Sequence, residues 1–249
     1  MAATRPGGET PVLPWEQYHK PERARQPLTR DAIVDAALKV VDEQGLAAVS
    51  MRAVAKVLDT GPASLYAHVA SKEQLIDLVL DRVYGEFELP EPDPDSWQEQ
   101  LKEFVRQGQR VILGHPGLAA AMLGAPPMGP NGLKVVEGAL ALLRAGGLPD
   151  DIVAYTGELL GQYIAVTALE QEANRERFGA AGQEEIHAWL EQYRGHLEKL
   201  PASQFPNLIQ MARSGLMAPG TDEERFELGL DILVRGLAAL TEDQPPASA

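Results

Sequence analysis

The stretch Leu58-Asp59-Thr60-Gly61-Pro62-Ala63-Ser64-Leu65-Tyr66-Ala67-His68-Val69, followed by Ser71-Lys72-Glu73, decides how this chain is read. Asp59-Thr60-Gly61 forms turns readily. Pro62 suits a first helical position, where its missing N–H would be unpaired anyway. A short third helix is expected over Ala63 to Val69. Ser71 and Gln74 make a capping box that opens a fourth helix through Leu75, Leu78, Val79 and Val83 to about Glu88. A short helix flanked by Tyr, His and Lys, behind a second helix, is the build of a helix-turn-helix DNA reader.

Upstream, Thr29 is placed to cap a first helix whose inner face is Ile33, Ala36, Ala37, Val40 and Val41, with Gly45 as its stop. Ser50 caps a second helix with Met51, Val54, Val57 and Leu58 inward. Residues 1–27 carry four prolines after Thr10 and no apolar periodicity, so they read as a mobile arm. Arg23, Arg25 and Arg30 punctuate its end, and such an arm beside a helix-turn-helix can enter the minor groove.

Net charge is −14, which by itself argues against a nucleic-acid partner. Its distribution reverses that reading. Residues 20–72 hold eight Lys/Arg against six Asp/Glu, whereas residues 85–249 hold twelve against twenty-five. Only a local basic face is needed to hold phosphates. The chain contains no cysteine, which excludes disulfides and thiol chemistry and suits a reducing compartment. Residues 1–14 lack the apolar core of a signal peptide, and no run of about 18 uncharged apolar residues occurs. The expectation is a cytoplasmic protein with no membrane contact.

Downstream, three prolines within Pro90–Pro94 break the fourth helix. The remainder is helical in pattern, without strand alternation. Segments 96–113 (opened by a Ser96/Glu99 box), 118–123, 133–145, 149–174 and 183–200 read as helices, with a weaker one around Leu208 and Met211. Thr221 to Glu224 is another box, leading a final helix with Phe226, Leu230, Leu233, Leu237 and Leu240 at spacings of 4, 3, 4 and 3. The division expected is an arm (1–27), a helix-turn-helix domain (28–88), a helical domain (95–242) and a disordered tail (243–249).

Residues 28–83 resemble the DNA-binding domain of the tetracycline-repressor (TetR) family. The resemblance rests on the Ile33/Ala36/Ala37 face, Gly45, Ser50-Met51-Arg52-Ala53-Val54-Ala55, Leu65-Tyr66-x-His68, and Ser71-Lys72-Glu73 with Leu75. Glu224 to Asp231 is similar to the last helix of many members. Two departures stand out. The family turn Leu-Gly-Val is Leu58-Asp59-Thr60 here, and the usual Phe after His68 is Val69. Asp accepts left-handed backbone better than most residues, so the turn can survive.

The fold expected is therefore all-α: a three-helix helix-turn-helix head plus a C-terminal helical domain for ligand and dimer. Pro62, Ala63 and Ser64 lie at the end of the recognition helix that meets the major groove. Ala63 can touch a thymine methyl and Ser64 a base edge. The resemblance assigns Tyr66 and His68 to phosphates. Lys72 and Arg52, each at a helix start, combine charge with free N–H groups. The partner is duplex DNA with a palindromic operator, bound by a homodimer.

The resemblance also implies an inducer pocket and a four-helix dimer bundle. Trp97, His115, Met122, Met128, Gln162, Tyr163 and Thr167 mix aromatic, soft and polar surfaces and are the pocket candidates. The apolar rows Ile152, Tyr155, Leu159, Val166 and Phe226, Leu230, Leu233, Leu237 are the interface candidates, with internal core as the alternative for both rows. Where tetracycline-binding members place a metal-ligating His on the short sixth helix, Met122 stands here. The five histidines show no ligand spacing, so no metal and no cofactor is expected. No G-x-S-x-G, H-E-x-x-H, P-loop or dinucleotide fingerprint occurs, which argues against an enzyme. The expected function is a repressor released from its operator by a small molecule. A helical ligand-binding or scaffold protein that has lost DNA binding is the alternative.

Overall fold

The computed structural model describes residues 27–124, 126–179, 182–214 and 222–242. Among these every regular element is a helix. Four form the head: α1 (Arg30–Gln44), α2 (Met51–Val57), α3 (Pro62–Leu65) and α4 (Lys72–Tyr84), with a 3₁₀ turn at Leu46–Ala48. Seven form the body: α5 (Trp97–Leu113), α6 (Leu118–Gly124), α7 (Pro130–Ala145), α8 (Asp150–Phe178), α9 (Gly182–Leu197), α10 (Pro206–Arg213) and α11 (Asp222–Glu242).

Local chemistry sets the head. Thr29, Ser50 and Ser71 each accept from the backbone N–H three residues on, at 3.1, 3.1 and 3.2 Å. Each satisfies a donor that the first turn of its helix would otherwise orphan. Gln74 does not return to Ser71 as a capping box would; it accepts from Ala70 N at 2.6 Å, one residue earlier. Ile33, Ala37, Val41, Val54, Leu65, Val69, Leu75 and Val79 are buried together. Removing each of the larger ones from water contributes about 1.5–3 kcal/mol.

The body departs from the sequence expectations at several ends. Ser96 leaves α5 without a side-chain cap, and its hydroxyl donates to Asp93 Oδ2 at 2.8 Å. Gln100, not Glu99, closes that corner, accepting from Asp93 N and donating to Glu91 O. The proline-rich loop brings acceptors nearer than the helix's own N–H groups. Helix α7 starts at Pro130, three residues early, because Asp81 of α4 supplies its N-terminal acceptor. α8 runs on to Phe178, where Gly179 (φ 59°) ends it. Thr221 lies outside the described residues.

Helix α8 is long and apolar enough, by length and composition, to cross a membrane. It packs against α5, α6 and α7, with part of its surface left exposed. One continuous core runs from Ile33 to Leu237, so head and body share it.

Candidate nucleic-acid interface and ligand chamber

The turn before α3 is a Schellman closure. Thr60 N donates to Ala55 O at 2.9 Å and Asp59 N to Lys56 O at 3.3 Å. That geometry needs a left-handed residue, and Asp59 takes it with φ 49°. The departure from the family's glycine is thus accommodated. α3 is shorter than expected, Pro62–Leu65, with residues 66–68 in a further turn. His68 N and Val69 N both converge on Leu65 O, which tightens the chain before Ser71 restarts it. Leu65 and Val69 point inward and are buried.

The opposite side of this element is open. Pro62, Ala63 and Ser64 are exposed, and so is Arg52. Tyr66 is 54% exposed, too much for a packing residue. His68 and Lys72 are half-buried. Arg30 joins the group by donating from Nε to His68 O at 3.3 Å. Eight of the ten residues expected to meet DNA are among the described residues, and none of the eight is fully buried. Arg23 and Arg25 lie outside the described residues.

The body and α4 form a chamber of about 930 Å³, open to solvent on one side and walled by α4, α5, α6, α7 and α8. One wall is aromatic: Tyr84 and Phe87 are tilted at 6.0 Å, Phe87 and Phe104 at 5.8 Å. Burial, with the nearby Asp81 charge, pushes the Tyr84 phenol up to about 12, so it stays a neutral donor. Pro126, Pro127, Leu133, Val136, Leu140 and Ile164 complete the apolar lining. Of the expected pocket residues, Met122 and Gln162 line it.

The other five candidates sit elsewhere. Trp97 is buried beneath Gly146, where a Cβ would strike its ring. Met128 is exposed, outside the lining. Tyr163 and Thr167 line a separate cleft of about 190 Å³ between α8 and α11. Tyr163 stacks on Phe226 at 5.4 Å and donates to its carbonyl at 2.6 Å. His115 serves the junction: Nδ1 lies 2.6 Å from Asp42 of α1 and Nε2 3.2 Å from Glu86. Its neighbour Pro116 accepts from Leu46 N at 2.9 Å. Trp97, His115, Tyr163 and Thr167 each have a partner that sequence order does not reveal.

Sequence reading missed Tyr84, Phe87 and Phe104. One signal was available: Ala154, Gly157 and Gly161 put small residues on one face of α8, where a cavity can form.

The chamber touches the head through α4. Asp81 Oδ1 accepts from Asn131 N at 3.0 Å and Gly132 N at 2.9 Å, capping α7. A Cβ at Gly129 would overlap that carboxylate, so the approach requires glycine. The next residue, Arg82, pairs with Asp31 at 3.0 Å and with Asp35, both on α1. Two adjacent α4 residues thus hold the two halves.

The expected interface rows also divide. On α8, Tyr155 and Val166 are exposed and Ile152 and Leu159 half-buried. On α11, Phe226, Leu230 and Leu237 are buried in the chain's own core, and Leu233 is half-buried. These three are core and not surface. The outward row is Leu228, Ile232 and Leu240, because the side facing α5 and α8 takes the larger apolar set. Arg106 grips Glu227 through Nε and Nη2 at 2.7 and 2.8 Å, and Lys102 meets Asp231 at 2.9 Å, fixing α11 to α5.

This arrangement defines a helix-turn-helix DNA-binding protein with a chambered helical body. Residues 33–79 match the family model for bacterial regulatory proteins of the tetR family, and residues 89–241 match the tetracyclin repressor-like C-terminal domain. The HTH-type transcriptional repressor DrrR1 of Streptomyces coeruleorubidus is 32% identical over 95% of this chain and 87% of its own length. The apo structure of ActR from Streptomyces coelicolor is 43% identical with a TM-score of 0.78, over 88% of this chain and 99% of that one. ActR in complex with actinorhodin is 44% identical with a TM-score of 0.76, over 86% and 96%. The chain belongs to the TetR family and is a helix-turn-helix transcriptional regulator.

Proposed function

We propose that the protein is a homodimeric cytoplasmic repressor, without enzymatic activity, that leaves a palindromic operator when a flat, largely apolar multi-ring molecule fills the chamber. The observation that carries this is α4. Its first residue, Lys72, sits beside the reading turn, and its far end supplies Tyr84 to the chamber and Asp81 to α7. A ligand that displaces α7 acts on the element that aims α3. Coupling of this kind is a difference in affinity between two geometries, so DNA and ligand oppose each other reciprocally. That the relative ActR forms a complex with actinorhodin supports a ligand-responsive reading.

The dimer reading rests on exposed apolar residues of two neighbouring helices, Tyr155 and Val166 on α8 and Leu228, Ile232 and Leu240 on α11. Apolar rows left in water on adjacent helices mark a contact surface. Paired heads would then meet half-sites spaced by whole turns of DNA. The intact reading turn argues against the scaffold alternative.

The test is fluorescence anisotropy with labelled DNA from upstream of the protein's own gene. Saturable binding to a palindrome, with a salt-dependent slope, is expected. Binding no tighter than to scrambled duplex would overturn the reading. Light scattering gives the companion result: a dimer for wild type and a monomer for Ile232→Asp.

A further inference from the structure

The polar end of the chamber carries an asymmetry of charge. Glu158 and Gln162 lie one turn apart on α8, and Gln162 Nε2 donates to Glu158 Oε1 at 2.9 Å. Among the lining residues no Lys, Arg or His occurs. Gln162 spends one of its two amide N–H groups on Glu158. What remains at this end to face a ligand is the second carboxylate oxygen, the amide oxygen and one amide N–H, beside the one charged side chain among the described lining residues. The opposite wall is aromatic.

We propose that Glu158 is the specificity-determining residue of the chamber: it selects flat multi-ring ligands that present an ammonium or a hydroxyl donor to α8, and it rejects those that present a carboxylate. This rests on the reading of the chamber as the effector site. An ammonium satisfies the free oxygens with a charge-assisted hydrogen bond, the stronger kind. A hydroxyl gives a neutral bond. A carboxylate brings like charge against like. Glu158 is itself exposed to solvent at the chamber mouth, which holds the effect to a modest factor.

The experiment titrates the full chain with three matched fluorescent probes at neutral pH and low salt: 9-(aminomethyl)anthracene, 9-anthracenemethanol and 9-anthracenecarboxylate. In wild type the ammonium binds about tenfold more tightly than the carboxylate, with the alcohol between. Glu158→Gln brings all three to within about twofold while leaving the alcohol's affinity in place, and Glu158→Lys inverts the order. Ala154→Trp, which crowds the α8 wall of the chamber, weakens binding of all three. A carboxylate that binds wild type as well as the ammonium does would overturn the proposal, and so would a spread that survives Glu158→Gln or probe affinities unchanged by Ala154→Trp. If no probe binds wild type at all, the effector-site reading falls first and takes this one with it.

Discussion

The reading head and the chambered body are both helical, yet they are specified differently. In the head, consecutive residues dictate structure: three Ser/Thr caps each reach the N–H three residues on, and a Schellman turn closes within six residues. In the body, the decisive contacts join residues far apart in the chain. Asp81 caps a helix 50 residues away, and Arg106 clasps Glu227 across 121. A DNA reader must hold one rigid shape, which local rules supply. A chamber must be able to yield, and long-range contacts can open individually.

Substitutions at six positions probe this contrast. The largest effect is expected from Leu65→Ala, which empties a fully buried site and destabilises by about 2–5 kcal/mol. If the head is locally specified, operator binding disappears while anthracene-probe affinity stays within about twofold. Loss of both would show that the shared core makes the halves one unit; denaturant melts with both readouts decide.

Next come Tyr66→Ala and Lys72→Ala. Each should weaken operator binding about tenfold without shifting the melting temperature, and Lys72→Ala should lower the salt slope by about one. Wild-type affinity in both would break the assignment of the open face to phosphates. At Asp59, Val forced into left-handed backbone should cost about 1 kcal/mol in a thermal melt, whereas Gly should be neutral or slightly stabilising.

Asp81→Asn addresses the joint itself. Ligand and DNA should each bind nearly as before, but the factor by which ligand weakens DNA binding should fall about fivefold. An unchanged factor would move the coupling to the His115 corner.

The smallest effect concerns acid. Hydrogen bonds from Arg106 and from Lys102 hold the Glu227 and Asp231 carboxyls below their ordinary range. Their folded values lie below their unfolded ones, so the stability they lend is complete above the ordinary carboxylate range of about 4 and is lost as pH falls through the lower folded values. Melting temperature should decline on acidification through this range, and less steeply in Glu227→Gln.

The head was legible in the sequence because its signals are short: Thr29, Ser50, Ser71, Pro62 and the apolar face each act within one or two turns. Even Asp59 could be placed from its tolerance of left-handed backbone. The chamber was not. Trp97, His115, Tyr163 and Thr167 have suitable chemistry, but their partners are Gly146, Asp42, Phe226 and Gln109, contacts no spacing rule gives. The aromatic wall combines Tyr84 and Phe87, at and just past the end of α4, which read in sequence as the tail of the head, with Phe104 of α5.

The α11 row shows the same limit in one helix. Its 4-3-4-3 spacing established an amphipathic helix and which residues share a stripe. Whether that stripe meets the chain's own α5 and α8 or another molecule depends on what is packed beside it. Periodicity records that a face seeks shelter from water. Only the folded arrangement of the neighbours decides what gives it, and here Phe226, Leu230 and Leu237 find it inside their own chain.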